Sequence, residues 1–218
     1  MMGDHLNVGK GRCHGTAQLL LKPIKAVIEL GAAPDFMQKV LNAVHHANRQ
    51  GAPDDFIAVA LPTIRNRRDA IIQGTEVELF GSPASLSAFM CLEGVLSLKN
   101  RGMVEYLEVM EVFAGSGDLG AAYVRDRACE KHTAGWIRRS KARAERRGTA
   151  LGKPVKLRAD DTSVLMLTYG ETVLHVREVL AAMSDAPLMV STYGFSYAGE
   201  PAVLPVAPES SVGLSNAT

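Results

Sequence analysis

The stretch APDFMQKVLNAVHHANRQ, residues 33–50, constrains the fold most. Phe36, Met37, Val40, Leu41 and Val44 recur at the spacing of one helix face, and Pro34 and Asp35 stand where helix starts favour them. A helix with one apolar stripe must bury that stripe against another element. Strand-like segments lie on both sides. AQLLLKPIKAVIEL (17–30) reads as one or two β-rich pieces ending at Gly31, and DDFIAVALP (54–62) as a short strand stopped by Pro62. TEVELF (75–80) alternates, with Val77 and Leu79 inward and Glu76 and Glu78 outward. SPASLSAFMCLEGVLSLKNRG (82–102) predicts a second helix with Pro83 near its start and Gly102 after its end. MVEYLEVMEVF (103–113) predicts a further strand. The order β-α-β-β-α-β predicts an α+β chain with a ferredoxin-like domain over residues 17–120. That pattern alone says nothing of function.

After Gly120 the character changes. A basic helix is predicted from about Thr133 to Arg147, followed by strand-like PVKLRA (154–159), SVLMLTYG (163–170), TVLHVRE (172–178) and LMVSTYGFSYAG (188–199). Residues 121–206 therefore read as a second, smaller domain, and the polar segments 1–16 and 207–218 as flexible tails.

Composition excludes several classes. With 47% apolar and 22% charged residues the chain is ordinary globular material. No apolar run approaches the roughly 18 to 20 residues a membrane span needs, so no membrane partner is expected. The start lacks the apolar segment of a signal peptide. Cys13, Cys91 and Cys129 are scattered and form no CxxC, which argues against a disulfide framework or structural zinc and suits a reducing cytoplasm. GKGRCHG (9–15) lacks the preceding strand and Lys-Ser/Thr ending of a phosphate loop. No metal-ligand cluster or cofactor motif stands out, so no cofactor is expected.

The charge is concentrated. Between Arg125 and Arg147 nine Lys or Arg face three acids, a net of +6 in a chain of net +1, which leaves the remainder near −5. On a helical wheel Arg139, Arg143, Arg146 and Arg147 fall on neighbouring faces, with Arg138 and Lys141 beside them. Few acids stand at salt-bridging distance, so the helix repels itself unless an anion binds it. Arginine suits bidentate phosphate contact, so a phosphate backbone fits best as the partner.

RDRACEKHTAGWIRRSKARAERR (125–147) resembles the strand-to-helix passage of the CRISPR RNA-processing endoribonucleases of subtype I-F. FIAVALP (56–62) resembles that family's strand ending in proline, and TYGFSYAGEPAVLP (192–205) its C-terminal Tyr-Gly run followed by Val-Pro. The resemblance covers about residues 20 to 206. It implies a protein that binds the hairpin of a CRISPR repeat and cuts at its base without a metal ion. The ribose 2′-hydroxyl would be the nucleophile, and the products a 2′,3′-cyclic phosphate and a 5′-hydroxyl. It further implies retention on the 3′ hairpin of the mature RNA, among the other subunits of an effector complex.

The family's general base is a histidine late in the first helix, and VHHAN (44–48) offers two. His45 extends the Met37, Leu41 row to the border of the buried face, whereas His46 continues Asn42 and points outward. Counting back from IAVALP favours His46, so both stand. By the same resemblance Tyr193 helps to order the cleavage site. Arg125 and Arg127 match positions that read the base of the hairpin, and Arg127 stands where the family usually has glutamine. Lys131, Arg138, Arg139, Lys141, Arg143, Arg146 and Arg147 would contact the RNA from the basic segment. One departure matters: Leu157-Arg158 is followed by Ala159, where the family has a serine that positions the attacking sugar. Thr162 or Ser163 takes that role only if the strand is shifted. Such departures also fit the processing subunits of type IV systems, and they leave open a subunit that caps the hairpin without cutting it. A DNA-binding regulator is a third reading, disfavoured by the order of the motifs.

Overall fold

The computed structural model describes residues 9–63, 65–67, 70–72, 74–105, 108–113, 115–127, 134–149, 164–169 and 172–205. The first half runs β1 (Lys10–Cys13), β2 (Ala17–Pro23), α1 (Lys25–Glu29), α2 (Ala33–Gln50) and β3 (Ala58–Ala60). It continues with the hairpin strands β4 (Arg65–Arg67) and β5 (Ala70–Ile72), then β6 (Val77–Gly81). Helices α3 (Pro83–Met90) and α4 (Glu93–Asn100) and the short strands β7 (Val104–Glu105) and β8 (Met110–Glu111) complete it. The second half holds β9 (Leu119–Arg125), α5 (Ala134–Arg146), β10 (Leu165–Tyr169), β11 (Thr172–Ala182), β12 (Leu188–Ser191) and β13 (Leu204–Pro205). The architecture is mixed α+β.

Two antiparallel sheets carry the fold. In the first the order is β3-β6-β2-β7, with β8 also on β2, and Leu19↔Leu79 and Leu21↔Val77 align its apolar rows. In the second the order is β10-β11-β9-β13. Helix α2 buries Phe36, Met37, Val40, Leu41 and Val44, the row its spacing predicts. One cluster of buried residues takes members from both halves of the chain, from Leu19, Leu41 and Phe80 to Tyr123, Leu174 and Phe195.

Several elements differ from the sequence-based expectation, each for a physical reason. Lys10–Cys13, expected in a loose tail, pairs with β12 in the register Lys10↔Ser191 to Cys13↔Leu188. Gly11 permits this, because a Cβ there would lie 2.4 Å from the Phe56 ring. Cys13 is buried, and its thiol donates to the Phe80 carbonyl at 3.3 Å. Segment 17–30 is strand only to Pro23, after which Lys25–Glu29 is helical. Segment 82–102 is two helices rather than one, broken at Cys91–Leu92 where Leu92 turns extended. The break lets Leu86 and Phe89 on α3 and Val95 and Leu98 on α4 all face the core. Glu78, expected outward, is only 4% exposed. It lies on a central strand between Ala60 and Leu20, and the Tyr123 hydroxyl of β9 senses its charge, so the face predicted for solvent is covered too. Burial and the neighbouring Glu76 push the Glu78 carboxyl up to about 7. The described strands of segment 103–113, Val104–Glu105 and Met110–Glu111, both pair with β2, and LMVSTYGFSYAG is strand only over Leu188–Ser191. PVKLRA and residues 207–218 lie outside the described residues.

Candidate active site

His45 lies where the buried face of α2 meets the second sheet. It is half-buried, and His46 beside it is exposed. Three residues on, the buried Asn48 pins this end of the helix. Its side-chain amide donates to the Ile57 carbonyl at 2.9 Å and to the Thr192 carbonyl at 3.3 Å. Its side-chain oxygen accepts the Ile57 N–H at 2.8 Å. One side chain thus joins α2 to the approach to β3 and to the turn after β12, and a fully satisfied buried amide is a rigid joint.

The turn after β12 delivers Tyr193. Gly194 has φ of 81°, a left-handed conformation that favours glycine. Its carbonyl accepts the Val59 N–H at 2.9 Å, and an added Cβ would lie 2.6 Å from Val59 Cγ2. The Gly194 N–H donates to the Ser191 carbonyl at 2.8 Å, and Ser191 Oγ donates to the Phe195 carbonyl at 2.8 Å. The backbone is therefore held on both sides of the tyrosine.

The result is an aromatic cluster. The His45 and Tyr193 rings stack, with centroids 4.3 Å apart and an interplanar angle of 14°. Tyr169, at the end of β10, meets both edge-on, 5.2 Å from His45 and 4.9 Å from Tyr193. The guanidinium carbon of Arg125, at the end of β9, lies 4.8 Å from the Tyr193 ring centroid, within cation–π range. Burial lowers the His45 pKa below its ordinary value, and the positive charges of Arg49, Arg125 and His46 lower it further. The Thr192 backbone acts the other way, yet the buried Nδ1 of His45 closes no hydrogen bond with any described residue. Burial also raises the Tyr169 pKa, opposed by Arg49.

This arrangement keeps an imidazole neutral near pH 7, with a nitrogen able to accept a proton, beside fixed positive charge. His45, Tyr193 and Arg125 come together here. Tyr169, Arg49 and Asn48 belong to the same site and escape sequence reasoning. Arg49 and Asn48 stand four and three residues after His45, a spacing that flags helical neighbours. Tyr169 carries no such signal, since only the packing of β10 on α2 brings it near.

The basic helix is built differently. No residue of α5 is buried, and Arg138, Arg139, Lys141, Arg143 and Arg146 are exposed, as is Arg147 just beyond it. Gly148, with φ of 62°, ends the helix: its N–H donates to the Glu145 carbonyl at 3.1 Å and the Thr149 N–H to the Ala144 carbonyl at 3.0 Å. Arg127 is exposed past the end of β9. Lys131, Ala159, Thr162 and Ser163 lie outside the described residues. Among the described residues no three His, Cys, Asp or Glu side chains converge, and no helix is long and apolar enough to cross a membrane.

Comparison with known proteins finds no family model that matches the chain and no curated protein that matches it by sequence.

Proposed function

We propose that this protein is an endoribonuclease that binds the hairpin of a CRISPR repeat, cuts at its base without a metal ion, and stays on the product as a cytoplasmic subunit of an effector complex. The observation that carries this reading is His45, its pKa depressed, stacked on Tyr193 beside Arg125. Arg125 ends the strand that leads into the arginine-rich segment, so the residue set over the ring stacked on the candidate base is also the one that adjoins the candidate RNA grip in sequence. In the same reading residues 17–120 form a ferredoxin-like domain. The antiparallel order β7-β2-β6-β3, with α2 after β2 and α3–α4 after β6, supports it.

In the proposed reaction His45 takes the proton of the ribose 2′-hydroxyl. The 2′-oxygen bonds to phosphorus as the bond to the 5′-oxygen breaks, and that oxygen takes a proton from water. A 2′,3′-cyclic phosphate and a 5′-hydroxyl remain. Tyr193 and Tyr169 hold the imidazole in one orientation. The exposed arginines of α5 bind phosphates or base edges of the hairpin and slow its release. A hairpin-capping subunit that does not cut is the second reading, favoured by Ala159 alone.

The test is incubation with a labelled CRISPR repeat hairpin in EDTA, beside a copy with a 2′-deoxy sugar at the cut. Cutting of the first and not the second is the expected result. Tight binding without cutting would leave the capping role, and a preference for duplex DNA over the hairpin would overturn both.

A further inference from the structure

Strand β1 brings a further row of cations to the sheet that carries Arg125. The pairings set β1, β12, residues 195–197 and β9 side by side: Lys10 opposes Ser191, and Ser196 is bridged to Val190 on one side and to Val124 on the other. Side chains alternate across a strand. With Val190, Ser196 and Val124 on one face, Ser191, Tyr197 and Arg125 share the other, and Lys10 and Arg12 lie on that face with them. The Arg125 N–H donates to the Ser196 carbonyl at 3.1 Å, which fastens the segment carrying Tyr197 to β9. The Lys10 ammonium sits 4.9 Å from the Tyr197 ring centroid and 2.6 Å from a Glu200 carboxylate oxygen, so the carboxylate holds the ammonium over the ring. Tyr197 is half-buried, which leaves part of its ring open, and Lys10 and Arg12 are exposed. Arg125 in turn lies over Tyr193 at 4.8 Å, and Tyr193 stacks on His45 at 4.3 Å. Aromatic rings and cations therefore alternate along one face, from the candidate base out to β1.

A row of this kind suits unpaired nucleic acid. Cations repeated along a strand meet the phosphates of an extended chain, and a tyrosine ring accepts a base whatever its sequence. We infer that Lys10, Arg12 and Tyr197 bind the unpaired RNA on the 3′ side of the cut, with Tyr197 under a base and the two cations on phosphates. The choice of strand rests on the cleavage reading, and the grip on unpaired RNA does not. In that reading the hairpin lies 5′ of the cut and belongs to α5. The nucleotides that run the other way from the scissile phosphate then meet the row that starts at His45. Holding the chain on both sides of the phosphate keeps the departing 5′-oxygen opposite the attacking 2′-oxygen. The fragment released by cutting keeps only this small contact, so it leaves while the hairpin stays.

The experiment measures equilibrium binding of three hairpin RNAs that carry a 2′-deoxy sugar at the cut. One ends just after the cut, one is extended there by roughly six nucleotides, and one is extended by as many at its 5′ end. The full chain is compared as wild type, Arg12→Gln, Lys10→Gln with Arg12→Gln, and Tyr197→Leu. The 3′ extension is expected to tighten wild-type binding about tenfold. The double variant and Tyr197→Leu should lose most of that gain while binding the short hairpin as the wild type does. Arg12→Gln leaves the Lys10–Glu200 pair in place and should lose about threefold of the gain. An equal gain in wild type and double variant, no gain in the wild type, or a gain from the 5′ extension alone overturns the inference. Should the wild type bind no hairpin, the cleavage reading fails and takes the choice of strand with it. NMR with a short single-stranded oligouridylate then decides the grip on unpaired RNA. Shifts of the Tyr197 ring that the double variant loses uphold it, and shifts absent from the wild type or kept by the double variant reject it.

Discussion

The two candidate functional regions of this molecule are opposites in construction. The His45 cluster draws on α2, β9, β10 and the turn after β12, and its members are distant in sequence. Helix α5 is one continuous stretch with no buried residue. In the first, a side chain has its character because of what surrounds it: burial and nearby arginines pull the His45 pKa down. In the second, the charge is a property of the chain itself, and folding only lines it up. Chemistry that needs a tuned pKa calls for a packed site, whereas a grip on a polyanion needs only charge held at a spacing.

The comparison can be broken most sharply at His45. His45→Ala should lower cleavage by about 10²- to 10⁴-fold while hairpin affinity stays within about threefold, read in single-turnover and filter-binding assays. A neutral base is required, so the wild-type rate should rise with pH and level off by pH 7, its midpoint below the ordinary histidine value of 6.5. An unchanged rate in His45→Ala would move the role to His46. Gly194→Ala comes next. It forces a Cβ into the left-handed turn and against Val59, and should cost about 2 kcal/mol of stability in denaturant unfolding while also disturbing Tyr193.

Glu78→Gln tests burial away from the site. The folded carboxyl sits at about 7 against an ordinary 4.5, so the folded state binds a proton the unfolded chain has released. Wild-type stability therefore suffers as pH rises from 4.5 to 7, and the cost is constant above that range. The variant should match the wild type below pH 4.5 and exceed it by up to about 3 kcal/mol at pH 8, seen in melts across pH. Equal stability at both pH values would mean that Glu78 is better solvated than its burial indicates. The smallest structural effect belongs to α5. Arg139→Gln with Arg143→Gln should leave stability within about 0.5 kcal/mol, yet weaken hairpin binding and reduce its salt slope by about two. A fall in melting temperature of several degrees would show that α5 is part of the packed structure after all.

Legibility in the sequence followed the same division. The span and buried row of α2 were readable because one amphipathic period runs unbroken from Phe36 to Val44. The α5 span was readable because charge at helical spacing needs no partner to be seen. Glu78 misled because alternation predicts only which residues share a face, and both faces of that strand are covered. The break at Cys91 escaped because a continuous apolar pattern suits one long helix or two short ones equally. Lys10–Cys13 escaped because its pairing partner lies almost 180 residues away.

By itself, then, the sequence determined the α+β pattern, the amphipathic α2, the concentration of positive charge and the pair of histidines at the end of α2. Tertiary structure alone decided that His45 is half-buried and stacked on Tyr193 while His46 faces solvent, and that Tyr169, Arg49 and Arg125 gather about it. Periodicity and net charge are local quantities, summed along the chain. A pKa, a stack of rings and a guanidinium over an aromatic face are relations between residues that only the packed fold brings within a few ångströms of one another.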